Sequence, residues 1–222
     1  MLIKDIMSKP VVAIKPKESA FTAYRLMQEH KIRRLPVLDS NRLVGIVTER
    51  DIREARPSAI AHLPQEASED ILRITQVNQI MAKQVVTVIS DDPVEQAALL
   101  MASHKIGGIP VMEKDQVVGI VTETDIFRLF TTLFGAEPGY FQVVLLNTEE
   151  TRAGVADAFR KFSNQVRSIL FSPKYPEIVM VFKAPDGKED AEKILDELHH
   201  FSFQILDWHL FEAAPVEVSS TS

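Results

Sequence analysis

Two eight-residue stretches, GIVTERDI at 45–52 and GIVTETDI at 119–126, each place a threonine three residues before an aspartate: Thr48 with Asp51, and Thr122 with Asp125. An ionised carboxylate one turn into a helix can accept hydrogen bonds from both hydroxyls of a ribose cis-diol. Each such bond to a charged group is worth about 1.5–3 kcal/mol where solvent is excluded. The threonine hydroxyl can touch ribose or phosphate, and the free N–H groups of a helix N-terminus after a strand favour polar ligands. The same spacing also describes a helix cap, whose loss costs about 1 kcal/mol. The usual capping partner is Glu or Gln, whereas both stretches use the shorter Asp. On spacing alone the cap is the stronger reading, and the two roles are compatible.

The elements that must position these residues occur twice. Ile3–Ile52 aligns with Val77–Ile126 without a gap, and roughly two in five positions are identical, the signature of an internal repeat. Each copy offers a β-branched run (VVAI, VVTV), then helical spacing through Ala20, Ala23, Tyr24 and Met27 or Val94, Ala97, Ala98 and Met101. The second helix has Asp92 as its expected N-cap, with Pro93 in the first turn and Glu95 beyond. RLPVLD and GIPVMEK read as strands, the polar pairs SN and KD as turns, and RLVGIVT and QVVGIVT as third strands running into a helix. The predicted unit is β-α-β-β-α, and two such units must pack together with pseudo-two-fold symmetry to cover their apolar strands.

Composition narrows the function. The 222 residues are 45% apolar, without a cysteine, and carry a formal net charge of −6. Thiolate metal sites, disulfides and a cysteine nucleophile are excluded, and a cytoplasmic setting is expected. Excess negative charge argues against general attraction to nucleic acid or anionic membrane. No His, Asp and Glu cluster has metal-ligand spacing, so no metal and no catalytic cofactor are expected. No P-loop, nucleophile elbow or His-Glu zinc pattern is present, which argues against an enzyme.

The paired Gly-hydrophobic-hydrophobic-Thr-x-x-Asp motif after LPV or IPV resembles the tandem CBS domain pair, or Bateman module, over about Ile3 to Phe130. The resemblance implies an adenosine nucleotide between the repeats, with Thr48, Asp51, Thr122 and Asp125 as ribose and phosphate contacts. It makes the basic residues before the LPV strand, Arg33 and Arg34, phosphate clamps; in the second repeat glycines 107 and 108 stand in their place. His30 and His104 fall near the same helix ends, as further phosphate candidates or as cations against the helix dipole. Alternatively, Gly107 ends its helix in a left-handed turn and the arginines are solvated surface. For the base, Val11, Val12, Val85, Val86, Thr87, Leu35, Pro36, Ile109 and Pro110 are candidates that any core would also contain.

After Pro138-Gly139 the pattern changes to strand FQVVLLN, helix TRAGVADAFRKF, strands VRSILFS and EIVMVFK, helix EDAEKILDELHHF and strand FQILDWHLF. This βαββαβ order is ferredoxin-like and resembles an ACT domain, a regulatory module that pairs edge to edge and binds amino acids near a glycine that aligns with Gly154. Ala153 stands where that family usually has proline. The whole reads as an α+β chain: repeat one at 1–56, a crossover at 57–76, repeat two at 77–136, the ACT-like domain at 140–212 and a tail at 213–222. A CBS pair followed by an ACT-like domain resembles the acetoin-utilization type of CBS–ACT protein. The implied behaviour is that of a homodimeric sensor acting on an unidentified regulated protein, with an amino acid as a second candidate ligand. The competing reading is a dimerisation module without a nucleotide.

Overall fold

In a computed structural model of the chain, residues 1–55, 65–171, 176–201 and 203–211 are described, with the side chains of 65–68 excepted. The chain divides into two compact units, Met1–Ile126 and Phe127–Ser222.

In the first unit both Thr-x-x-Asp stretches close hairpins of matching register. β1 (Arg34–Asp39) pairs antiparallel with β2 (Arg42–Thr48), and its counterparts Gly108–Glu113 and Gln116–Thr122 pair in the same way. Both hairpins turn on two residues with positive φ, Ser40-Asn41 and Lys114-Asp115, the geometry that suits the twist of two-residue hairpins. Arg34 stands opposite Thr48, and Gly108 opposite Thr122.

The remaining elements of this unit are α1 (Ala20–Glu29), α2 (Glu49–Ala55), α3 (Gln65–Ile74), α4 (Val77–Ile80), β3 (Val88–Ile89) and α5 (Val94–His104). With the second hairpin's strands numbered β4 and β5, α6 (Glu123–Leu133) follows and carries the chain past residue 126 into the second unit. Three local expectations are corrected. VVAI forms no strand; Ile14 alone makes a parallel bridge to Val37, whereas Val88–Ile89 does extend β4 as β3. Pro93, not Asp92, is the N-cap of α5, because the Asp92 carboxylate turns back to accept from Ile89 N at 2.9 Å. Lys105, not Gly107, takes the left-handed position after that helix, at φ 54°, matched by Lys31 at φ 53° in the first repeat.

The packed units are out of phase with the sequence repeats. Ser8 exchanges backbone bonds with Ile120 (2.9 and 3.1 Å), and Ala82 does the same with Ile46 (2.9 Å both ways). Each repeat thus lays its first residues on the other repeat's hairpin. Ile3, fully buried, belongs to the core of Val88, Ala97, Ile109, Val111 and Val121, while Val77 belongs to that of Ile14, Ala23, Leu35, Val37 and Val47. Full burial of one such side chain contributes about 1.5–3 kcal/mol. The motif glycines are where this exchange is tightest. A Cβ on Gly45 would lie 2.5 Å from Met81 Sδ and 3.0 Å from Ala82 O, and one on Gly119 would lie 2.9 Å from Met7 Cγ.

The second unit has the expected order: β6 (Tyr140–Leu146), α7 (Glu149–Lys161), β7 (Val166–Phe171), β8 (Glu177–Lys183), α8 (Lys188–Leu198) and β9 (Ile205–Phe211). The sheet order β7-β8-β6-β9 is antiparallel throughout, the ferredoxin-like arrangement. Alternation along β6 puts Phe141, Val143 and Leu145 into a core with Ala158, Phe162, Phe182, Ala191 and Leu198. The part of the expected crossover at 57–64 and the tail at 213–222 lie outside the described residues. No helix among the described residues is long and apolar enough to cross a membrane.

Candidate functional site

Thr48 ends β2 and Asp51 occupies the first turn of α2. Asp51 Oδ2 accepts from Thr48 N and Thr48 Oγ1, both at 2.7 Å, and Asp51 N donates back to Thr48 Oγ1 at 3.4 Å. Thr122 and Asp125 repeat the arrangement at 2.9, 2.7 and 3.4 Å. The cap is therefore built, with aspartate doing what glutamate does elsewhere. It has a chemical consequence. The Thr48 hydroxyl proton is committed to Asp51, so its oxygen can accept from a ligand hydroxyl but has no proton for a phosphate. Asp51 uses only Oδ2 in the cap, and Oδ1 accepts no hydrogen bond among the described residues.

Asp51 lines a cavity of 620 Å³ between the two repeats. Ile46 and Thr48 enter it from the first hairpin, Ala82, Gln84, Val85 and Val86 from the segment that pairs with that hairpin, and Ile106, Gly107, Gly108 and Pro110 from further along the second repeat. The cationic side chains around it are Arg33, Arg34, Arg50, Arg53 and Lys105, against the acidic Glu49 and Asp51. In a chain with a net charge of −6, this is a local reversal of sign. Low-dielectric walls make such a reversal attractive to an anion. Ile46, Val85, Val86, Ile106 and Pro110 supply apolar surface beside it, suited to a planar ring.

Arg34 is the most constrained of these cations. Its Nη1 is buried without a hydrogen-bond partner. Burial lowers its pKa, opposed by the attraction of Glu123 and aided by the repulsion of Arg33. A guanidinium starts so far above neutrality that it stays charged. Leaving a buried donor unpaired costs roughly 1–3 kcal/mol, so an acceptor arriving there is favoured.

The structure thus brings Arg33, Arg34, Thr48, Asp51, Val86 and Pro110 to one cavity, with Val85 beside them. It does not bring in the other candidates. Thr122 and Asp125 form the corresponding turn of the second repeat, where Asp125 is only 6% exposed. His30 and His104 are exposed at the C-terminal ends of α1 and α5, and His104 Nδ1 lies 3.2 Å from Leu100 O, the dipole-end position. Leu35 and Ile109 are fully buried core, Pro36 is buried, Val12 packs against the first core and Thr87 is exposed. Gly154 lies inside α7, where a Cβ would come within 2.8 Å of the Phe203 ring; there its smallness serves packing. Sequence reading missed Gln84, Lys105, Arg50 and Arg53. Lys105 had a signal, the repeated His-Lys-Ile; the arginines, on an exposed helix face, had none. Among the described residues no cluster of His, Asp and Glu could hold a metal.

Comparison with known proteins agrees with this geometry. The CBS domain model matches residues 3–58 and 77–131. The chain is 37% identical over 131 residues to an L-aspartate semialdehyde sulfurtransferase of Methanocaldococcus jannaschii, a match that takes in 58% of this chain and 23% of that one. It is 34% identical over 140 residues to a CBS domain-containing protein of Dictyostelium discoideum, covering 62% of this chain and 97% of the relative. Among solved structures, one from Vibrio cholerae, provisionally named an acetoin utilization protein (AcuB), superimposes with a TM-score of 0.51 at 28% identity, over 61% of this chain and 93% of its own. Two matched repeats, two hairpins of one register and two Thr-x-x-Asp caps place this chain in the CBS domain family, as a tandem pair.

Proposed function

We propose that the protein is a non-catalytic regulatory sensor. An adenosine-containing nucleotide (AMP, ADP, ATP or a relative) binds between the CBS repeats, and its presence is passed to the C-terminal domain or to a partner. The observation that carries this reading is the division of labour within Asp51. One oxygen holds the helix start and the other is uncommitted at a cavity with cationic and apolar sides. A cis-diol at Oδ1, phosphate toward Arg33, Arg34 and Lys105, and a base against Ile46, Val85, Val86 and Pro110 match the acidic, cationic and apolar parts of the lining. Signalling requires a ligand affinity that differs between two conformations.

The C-terminal domain, with its βαββαβ order, is proposed to be ACT-like, the receiving or dimerising part. Leu99 on α5 is 66% exposed, and Phe127 and Phe130 on α6 are 66% and 54% exposed; these side chains favour a homodimer contact. A dimerisation role without nucleotide is the second reading those residues support.

Isothermal titration with AMP, ADP, ATP and adenosine tests the first reading. Heat that saturates and is lost in Asp51→Asn with unaltered folding is expected. Absence of both heat and thermal shift with all four compounds overturns it.

A further inference from the structure

Arg34 and Gly108 occupy the same position in the two aligned repeats, each opposite the threonine of its own hairpin. Pseudo-symmetry gives each a matching place at the other repeat's Thr-x-x-Asp turn, and Arg34 fills its own. The guanidinium lies over the second hairpin: a Cβ built on Gly108 would overlap Nη1 and stand 3.0 Å from Cζ. A Cβ on Gly107 would lie 2.7 Å from Nη2 and 2.9 Å from Glu123 Oε2. Gly107 O accepts from Glu123 N at 3.2 Å, as Arg33 O accepts from Glu49 N at 2.9 Å. The head of Arg34 thus stands at the foot of the turn that Thr122 and Asp125 form. Residue 108, a glycine, sends no side chain to the foot of the Thr48 and Asp51 turn, and the 620 Å³ cavity opens there. Exposure follows the same division: Asp51 is half-buried and Asp125 is buried.

Resting on the nucleotide-sensor reading, we propose that the Arg34 side chain is a plug that closes the second cleft from across the repeat interface, so that the pair takes one adenosine ligand per chain, at Asp51. The plug works by bulk. Nη1 is buried without a hydrogen-bond partner, so no ligand reaches it, and the fold carries the cost of an unpaired donor to keep it there. Arg34 borders the first cavity as well, where its charge acts at a distance while its head fills the space beyond. Thr122 and Asp125 are left with the cap alone. The second motif is latent: it keeps the residue types that grip a diol, behind a side chain that belongs to the other repeat. Gly108 is the reciprocal condition, since its missing side chain both seats Arg34 and leaves the first cleft open.

The test counts sites by titration calorimetry and native mass spectrometry with AMP and adenosine, each variant's fold being checked by thermal melting. The full-length protein is expected to take one ligand per chain, lost in Asp51→Asn and kept in Asp125→Asn. Arg34→Ala, or Arg34→Ser where the alanine variant does not fold, gains a second site that Asp125→Asn removes. Arg34→Met keeps the bulk without the charge and stays at one site, with weaker AMP binding. The exchange Arg34→Gly with Gly108→Arg moves the single site, which then depends on Asp125 and no longer on Asp51. Two sites in the native chain, one site in the small-residue variants or a second site in Arg34→Met overturns the plug and leaves the sensor reading standing. A folded exchange variant that still depends on Asp51 overturns it too. Binding gained only in the small-residue variants and dependent on Asp125 supports the plug and removes Asp51 as the native site. If neither compound binds any variant, the sensor reading falls and the melts decide the plug. Arg34→Met fills the notch with no donor to leave unpaired, so it melts at or above the native temperature. A lower melting temperature then overturns the plug as well.

Discussion

Asp51 Oδ2 takes two hydrogen bonds from Thr48, one from its backbone N–H and one from its hydroxyl, each 2.7 Å long. Capping falls on one oxygen of the carboxylate, and the proposed recognition on the other. Asp51→Asn keeps a carbonyl oxygen for the cap and replaces the other oxygen by a donor. Ligand affinity is expected to fall more than tenfold, about 1.4 kcal/mol or more, while thermal stability changes little. Asp51→Ala loses both, with a stability cost of about 1 kcal/mol. Calorimetry paired with chemical denaturation separates them; equal loss of stability in the two variants would contradict the division.

Asp125 makes the same cap but is only 6% exposed. Asp125→Ala is expected to cost more stability than Asp51→Ala, by about 1 kcal/mol, because the part-buried Thr122 donors lose an acceptor that is itself buried, where water replaces it less readily. Parallel urea melts of the two variants check the order.

Gly45→Ala places a methyl where Met81 Sδ and Ala82 O already stand. A loss of about 1–3 kcal/mol is expected from overpacking. Met81→Ala in the same chain recovers part of it, since the two positions touch across the repeats and a double-mutant cycle reads their coupling. Strict additivity would mean that the crowding lies elsewhere.

Ionic strength separates phosphate from base recognition. Raising salt from about 0.1 M to 1 M shortens the screening length from ~10 Å to ~3 Å. AMP binding is expected to weaken several-fold and adenosine binding to stay level. The pH response has a definite sign as well. Burial lowers the Arg34 pKa, yet it stays cationic, so AMP affinity is flat above neutrality. It falls below about pH 6 as the phosphate itself takes up a proton. Loss of affinity on the alkaline side instead would point to another cation.

Gly154→Ala sets two effects against each other in the second unit. A helix-interior alanine gains about 0.5–1 kcal/mol over glycine, but its Cβ meets the Phe203 ring at 2.8 Å. Net destabilisation of the C-terminal unit is expected, relieved by Phe203→Leu. A stabilised single variant would show that the ring gives way freely.

Much of this was legible because local patterns and packing agree. The hairpins, both caps and every strand and helix of the βαββαβ unit follow from alternation, helical spacing and turn residues. VVAI misled because β-branched residues suit a strand only where a neighbour offers an edge, and here Ile14 alone meets Val37. Asp92 misled because an aspartate before a helix can cap it or close a turn on Ile89, and the sequence is the same for both. The partners of Met7 and Met81, and the meeting of Arg34 with Gly108, are contacts across the repeats. Periodicity within one repeat carries no information about them.

The reciprocal exchange at Met7–Ser8 and Met81–Ala82 bears on how the molecule can be cut. A fragment ending near residue 56 would keep Ile3 without the core it fills and lack Val77, which fills its own. Neither half made separately should fold, yet the two halves mixed should complement each other, each supplying the plug the other lacks. The duplicated stretch of sequence and the cooperative folding unit are different objects in this chain.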